Sequence, residues 1–386
     1  MHPEMEMIRC SIMRGGTSKG IFIMKNDLPT DQMERERVIL SIFGSPDIRQ
    51  IDGLGGADLL TSKLAIISPS TREDADVDYT FAQVGLDKPT VDIKGNCGNI
   101  ASAVGPFAIN TGLVEAKEPV TIVRIHLTNS KNLLVAEVPV KYGKAAVEGD
   151  FSIAGVPGTG AKITLDWKDA QGAFTGKLLP TGNVKDIINV DGKEYAVSIL
   201  DIGNPLVFIK AEDIGIDGRE TPKQIEGNME LMNLIEQIRG MAAVKIGMVE
   251  NWKLAATESA YAPFFAIVSP SKDYTTFDGK EVKAEDIDLV SRLLFMQKVH
   301  KNYPVTSTVS TGVAAKIPGT VVSEVVKEEA KSRVRMNIGH PAGCIPAESI
   351  VEVEGGSIKI VKGAMYRTAR PIMDGYVYVR KSNYNK

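Results

Sequence analysis

The sequence predicts an α/β (α+β) chain built as two similar halves, each a buried helix among strands, and three observations predict it. Its 386 residues exceed a single compact core and suit two domains of roughly 150–200 residues each. Short β-like runs alternate with turn signals along the whole length, with 36 glycines and 19 prolines spread throughout. Each half also carries one small-residue turn that opens an apolar helical segment. No repeat is visible at the level of identity, so the likeness of the halves rests on pattern, and a cleft between them is the natural place for a ligand.

In chain order, residues 8–13 and 20–24 flank the loop RGGTSKG and read as two strands of a meander. Residues 33–43 have helical periodicity and stop at Gly44-Ser45-Pro46. Residues 77–84 and 120–127 read as strands, the latter joined through Asn129-Ser130-Lys131 to 133–140 as a hairpin. Gly95-Asn96-Cys97-Gly98-Asn99 is a tight turn opening a buried helix over 100–109. A Gly-rich irregular stretch, 141 to about 185, ends the first half.

The second half starts again with strands at 195–201 and 206–210, separated by Gly203-Asn204-Pro205. A long amphipathic helix is expected at about 222–240, with apolar Ile225, Met229, Leu231, Met232, Leu234, Ile235 and Ile238. Another is expected at about 284–300. TSTVSTGVAAKIPG (306–319) then reads as a second small-residue turn running into an apolar segment, and 321–380 as mostly short strands. The expected domains are 1–185 and 186–366, with the C-terminal strands, about 367–386, free to return to the first.

Composition narrows the function classes. Hydrophobic residues at 43% and charged residues at 24% are ordinary for a globular chain and argue against disorder. A net charge of −3 gives no long-range attraction to polyanions, so nucleic acid is not an expected partner. The start, MHPEMEMIRC, lacks the basic and apolar pattern of a signal peptide, and no apolar run is long enough to span a membrane. Three scattered cysteines, Cys10, Cys97 and Cys344, make neither a disulfide framework nor a zinc site. A cytoplasmic address is expected.

Cys97 is the sharpest chemical feature. Flanked by glycine at a helix mouth, it meets unpaired backbone N–H groups and the positive end of the helix, a setting that favours thiolates and binds carboxylates. One turn would then supply both a base and an anion hole, as removal of a proton α or vinylogous to a carboxylate requires. The alternative is a small buried cysteine beside a structural turn. Lys63 stands alone in the apolar run LLTSKLAII, where it either serves a site or lies on a wetted strand face.

Arg14-Gly15-Gly16-Thr17-Ser18-Lys19-Gly20 gathers donors on a flexible backbone, but lacks the order of a phosphate loop. Its other reading is a hairpin turn with structural glycines. Gly53-Leu54-Gly55-Gly56-Ala57-Asp58 is no dinucleotide fingerprint. His2, His126, His300 and His340 form neither HxxxH nor HExxH, so no metal site is expected. His300 and His340 read as structural histidines or as site residues.

Five segments then carry a resemblance: MRGGTSKG (13–20), QIDGLGGAD (50–58), TSKLAII (61–67), GNCGNIASAVGPFAI (95–109) and IGHPAG (338–343). Together they resemble the 2-methylaconitate isomerase family, which includes 3-methylitaconate Δ-isomerase and 4-oxalomesaconate tautomerase, over nearly the whole chain. The family is similar in fold to diaminopimelate epimerase. The resemblance implies two topologically alike domains, each a central helix wrapped by mostly antiparallel sheet, with the active site in the cleft between.

It further implies a cofactor-independent isomerase with Cys97 as proton shuttle and Lys63 as its partner. Thr17, Ser18, Gly98, Asn99, His300, Thr311, Gly312 and His340 are the expected substrate-binding residues. Epimerases of this fold place a cysteine at the second turn as well, and Thr308–Gly312 has none. That departure points to a double-bond shift by one thiol in a methyl-substituted unsaturated di- or tricarboxylate. The expected reactions are 3-methylitaconate to 2,3-dimethylmaleate, or cis–trans change of 2-methylaconitate. The alternatives are a keto–enol tautomerase of 4-oxalomesaconate type and an amino-acid racemase or epimerase. A homo-oligomer, dimer or tetramer, is the expected assembly.

Overall fold

The computed structural model describes residues 3–93 and 95–383, so His2 lies outside the described residues. The chain divides into two compact units, Met1–Leu165 with Arg367–Lys386, and Asp166–Tyr366. The first division falls at Leu165, inside the Gly-rich stretch.

The first unit is built from β1 (Met5–Gly15), β2 (Ser18–Met24), α1 (Gln32–Phe43), β3 (Lys63–Pro69), β4 (Val77–Val84), β5 (Val91–Asp92), α2 (Gly98–Thr111), β6 (Val120–Leu127), β7 (Asn132–Lys141), β8 (Lys144–Ala145) and β9 (Ile163–Asp166). The second contains β10 (Asp186–Val190), β11 (Lys193–Ile202), β12 (Asn204–Lys210), α3 (Pro222–Glu226), α4 (Met229–Lys245), α5 (Ala255–Glu258), β13 (Phe264–Pro270), β14 (Tyr274–Thr275), β15 (Glu281–Val282), β16 (Leu289–Phe295), β17 (Lys298–Val299) and α6 (Val305–Ala314). It continues through α7 (Val321–Val325), α8 (Glu328–Ser332), β18 (Arg335–His340), β19 (Gly343–Glu354) and β20 (Ser357–Arg367). The last strand, β21 (Ala369–Arg380), runs antiparallel to β1 and so belongs to the first unit.

In the first unit β1 pairs antiparallel with β2, β2 parallel with β3, β3 antiparallel with β4, β4 parallel with β6, and β6 antiparallel with β7. The second unit repeats the sequence of pairings with β11, β12, β13, β16, β18 and β19. In both, the buried helix enters after the fourth of these strands, α2 in one and α6 in the other. Residues Gly98 through Ile109 of α2 are all buried, as is every residue of α6, because each helix packs against strands of its own unit. The opposite faces are covered by amphipathic helices. Val38, Ile39, Ile42 and Phe43 of α1 pack on Ile8, Ile21, Ile23 and Leu64, and Leu231, Ile235, Ile238 and Ala242 of α4 pack on Val197, Val207 and Ile267. Among the described residues no helix is long and apolar enough to cross a membrane.

Three sequence-based assignments change. The segment expected as a helix over 284–300 is a 3-10 turn, Ala284–Asp286, followed by strand β16. All seven residues of β16 are buried, so apolar side chains occur on both faces without alternation and their spacing imitates a helix. The helix expected over 222–240 is two helices, α3 and α4, broken at Gly227 and restarted by Asn228, whose side chain caps Leu231 N–H. The C-terminal strands are long, twelve residues each in β19 and β21, and are preceded by α7 and α8.

Candidate active site

In the first unit Cys97 is the N-cap of α2, in extended conformation and making no capping bond through its side chain. The first backbone N–H groups of a helix have no intrahelical partner, so the turn presents amide donors beside the thiol. Lys63, the first residue of β3, is buried, and its ammonium is hydrogen-bonded to Cys97. It also donates to Gln83 Oε1 at 2.7 Å and lies 5.2 Å from the centre of the Phe81 ring. Burial pulls the Lys63 ammonium below its ordinary pKa, while Cys97 and Asp58 push it back up.

The neighbouring motifs hold this pair in place. Gln83 is held by donating to Leu59 O (3.1 Å) and Ser62 O (2.9 Å). Buried Gln50 accepts from Ser62 Oγ and from Ala57 N–H, both at 2.8 Å. Gly55 lies so close that a Cβ there would sit 2.2 Å from the Gln50 side chain. The QIDGLGGAD segment is therefore a brace for the strand end that carries Lys63.

RGGTSKG folds as the β1–β2 turn and packs on the first turn of α2. Gly16 has φ +51°, and a Cβ there would fall 2.2 Å from Asn99 Oδ1, so only glycine fits on both counts. Asn99 Nδ2 donates to Thr17 Oγ1 at 3.1 Å, and Thr17 N–H donates to Asn99 Oδ1 at 3.4 Å. Ser18 Oγ is buried and has no hydrogen-bond partner among the described residues. Cys97, Lys63, Thr17, Ser18, Gly98 and Asn99 thus belong to one neighbourhood.

Two residues that sequence reasoning did not single out join them. Gln83 shares β4 with Asp78 and Thr80, so nothing local marks it; the β3–β4 pairing sets it opposite Lys63. Arg367 is fully buried, donates from Nε to Asn99 Oδ1 at 2.9 Å, and interacts electrostatically with Cys97. Burial lowers its pKa and Cys97 raises it, yet the guanidinium stays charged near neutrality. Nothing local in MYRTARP marks it, since its partner is 268 residues away in sequence.

The other four expected binding residues lie in the second unit. Helix α6 opens at Val305 with Pro304 as its N-cap, seven residues before Gly312, so Thr308–Gly312 is helix interior and not a turn. Thr311 Oγ1 donates to Ser307 O at 2.7 Å and lies 2.9 Å from Tyr303 Oη. Gly312 gives close approach to Ala347, whose Cβ would be 3.0 Å from a Cβ at 312. Both residues serve the packing of α6. His300 is buried, with Nδ1 2.7 Å from Asn302 O and its ring 5.4 Å from Phe295. His340 is buried at the β18–β19 turn, where Ala342 N–H donates to its Nδ1 at 3.3 Å.

Comparison with known proteins gives these features a context. The family model described as PrpF protein matches residues 5–380. The chain is 54% identical over 376 residues to a 3-methylitaconate isomerase of Eubacterium barkeri, covering 97% of this chain and 98% of that one. The crystal structure of a methylitaconate-delta-isomerase superposes with a TM-score of 0.84 at 53% identity, over 99% of this chain and 98% of the other. A hydroxyproline epimerase from Agrobacterium vitis shares the fold alone, with a TM-score of 0.56 at 12% identity over 97% and 93% of the two chains.

Proposed function

This chain belongs to the PrpF protein family, and on that footing we propose that it is a cofactor-independent isomerase. In this reading it shifts a carbon–carbon double bond by allylic proton transfer in a methyl-substituted unsaturated dicarboxylate. The observation that carries the reading is the buried Lys63 ammonium hydrogen-bonded to Cys97 at the mouth of α2. A thiolate beside a cation and free helix-start amides is a base placed next to an anion site. The identity to the 3-methylitaconate isomerase of Eubacterium barkeri favours 3-methylitaconate as substrate and 2,3-dimethylmaleate as product.

In this reading the steps are as follows. Cys97, as thiolate, takes the proton from the carbon that bears the methyl group and one carboxylate. The C–H electron pair spreads over the allyl unit and its carboxylate as a dienolate. Lys63 and the amides of Gly98 and Asn99 stabilise the growing charge, with Thr17 and Ser18 as further donors. The Cys97 thiol then returns the proton to the terminal methylene, which becomes a methyl group. No electrons are gained or lost overall, and the thiolate is regenerated.

A two-base racemase would need a second acid at the counterpart of Cys97. That counterpart is Pro304, the N-cap of α6, which has neither an acidic side chain nor a backbone N–H. His300 and His340 remain the second unit's candidate carboxylate contacts. A cytoplasmic site of action is read from the scarcity of cysteine, and a homo-oligomer from the family resemblance.

The test is a panel of unsaturated di- and tricarboxylates followed by proton NMR in D₂O. The reading expects loss of the methylene signals of 3-methylitaconate and growth of deuterium-bearing methyl signals. Absence of exchange or isomerisation across the panel would sink it, and conversion of 2-methylaconitate or 4-oxalomesaconate in its place would reassign the substrate.

A further inference from the structure

We propose that Arg367 is a positioning residue of the Cys97 centre: it fixes the Asn99 side chain against the 14–18 loop and sets a second cation beside the thiol, so that this turn receives a substrate carboxylate. The proposal rests on the isomerase reading above for its substrate, but its geometry stands apart from that reading.

The two units show what is particular about this arginine. Their strand pairings match step for step, so their helix-start turns can be compared. In the first unit Gly16, at φ +51°, lies over Asn99, the second residue of α2, and its N–H donates to Thr368 O at 2.9 Å. In the second unit Gly203, at φ +71°, lies over Thr306, the second residue of α6, and its N–H donates to Ala170 O at 2.8 Å. A side-chain hydrogen bond ties loop to helix in both, Asn99 to Thr17 at 3.1 Å and Asn204 to Thr306 at 3.0 Å.

The residue behind the glycine differs. A Cβ on Gly16 would meet Arg367 Cδ at 2.9 Å, and a Cβ on Gly203 would meet the Trp167 ring at 3.0 Å. Both Arg367 and Trp167 are buried, each just beyond the end of an incoming strand or at its last residue. The framework therefore accepts an apolar ring at this place where the helix cap is proline. Where the cap is Cys97 it carries a guanidinium, at the desolvation cost any buried cation incurs.

What the charge does follows from its neighbours. Arg367 Nε donates to Asn99 Oδ1, and this leaves the Asn99 amide nitrogen to hold Thr17. Arg14 completes the brace by donating to Gly16 O (2.9 Å) and Thr368 O (2.7 Å). With Cys97 as thiolate, Lys63 and Arg367 both face it, so a carboxylate arriving at the turn meets positive charge and not a neutralised pair.

The experiment compares full-length wild type with Arg367→Gln and Arg367→Lys. Circular dichroism checks the fold. Cys97 alkylation by iodoacetamide is followed by mass spectrometry from pH 6 to 10, and kcat and KM are measured with 3-methylitaconate. Arg367→Gln removes the cation. Its alkylation midpoint should move to higher pH by about one unit, and KM should rise about tenfold or more, with a smaller change in kcat. Arg367→Lys keeps the charge but not the guanidinium fork, so its alkylation midpoint should stay within a few tenths of wild type while KM still rises.

A folded Arg367→Gln protein with wild-type alkylation midpoint and wild-type KM overturns the proposal. If Arg367→Gln does not fold, Arg367→Lys decides: a wild-type KM in that variant overturns it. If wild type turns over no unsaturated carboxylate, the isomerase reading falls, and the alkylation profiles still judge the role of Arg367.

Discussion

Gly16→Ala tests the packing that joins the RGGTSKG loop to the head of α2. Two penalties add at this position. An L residue at φ +51° pays about 1–2 kcal/mol for left-handed backbone. The new methyl would then sit 2.2 Å from Asn99 Oδ1 and 2.9 Å from Arg367 Cδ, overpacking worth about 1–3 kcal/mol. Gly112, the C-cap of α2 at φ +79° with nothing within 4 Å of a Cβ, supplies the control, because Gly112→Ala suffers the first penalty alone. Alanine stiffens the unfolded chain equally in both variants, by about 0.4–1 kcal/mol, so that term cancels in the comparison. The first unit contains two buried thiols, Cys10 and Cys97, and their labelling against urea reports its unfolding. With a urea slope of about 1–3 kcal/mol/M, Gly16→Ala should unfold about 1 M below Gly112→Ala. Equal midpoints for the two variants would refute the close approach of Gly16 to Asn99 and the brace built on it.

Other outcomes follow from the same geometry. Lys63→Met should lower kcat by about 10²–10³ with little change in the fold, since it removes the cation that faces the developing dienolate; kcat within threefold of wild type would remove Lys63 from the mechanism. Burial lowers the Lys63 pKa and the protonated form is the active one, so the alkaline limb of kcat should fall below the ordinary lysine value of 10.5 and shift upward in Lys63→Arg. In that same window stability should rise with pH, because the unfolded chain still holds a proton that the native chain has released. Burial alone would raise the Asp78 pKa, but hydrogen bonds from His126, Thr71 and Ser70 hold it below the usual carboxylate value. Its contribution is therefore present above the unfolded value near 3.8 and lost as pH falls through the lower folded one, so the stability gap between wild type and Asp78→Asn should close in acid, as thermal melts at pH 7 and pH 3 would show.

What could be read from the sequence and what could not divide along the range of the interactions involved. GNCGN was legible because its chemistry is local: glycine, thiol and helix start are adjacent in the chain. Lys63 was legible as a misfit charge in an apolar strand; Gln83 was not, because β4 also carries Asp78 and Thr80 and the amide meets Lys63 only through the β3–β4 pairing. The β16 run was read as helix because LVSRLLF is buried on both faces, which removes the period-two alternation that marks a half-exposed strand. The second turn was set too late because Ser, Thr and Gly crowd positions 307–312, whereas the helix opens at Val305, capped by Pro304, which carries none of the usual capping side chains. Arg367 could not be found by any local rule: it reaches Asn99 only because β21 returns to pair with β1.

The most direct test of the central claim is hydrogen exchange at the reacting carbon. Wild type and Cys97→Ser are incubated with 3-methylitaconate in D₂O, and deuterium entry at the carbon bearing the methyl group is followed by proton NMR. Wild type should show exchange and double-bond migration and Cys97→Ser neither, with Cys10→Ser unchanged because that thiol, whose pKa is raised by burial, has no part in the chemistry. Exchange at the wild-type rate in Cys97→Ser would contradict that claim.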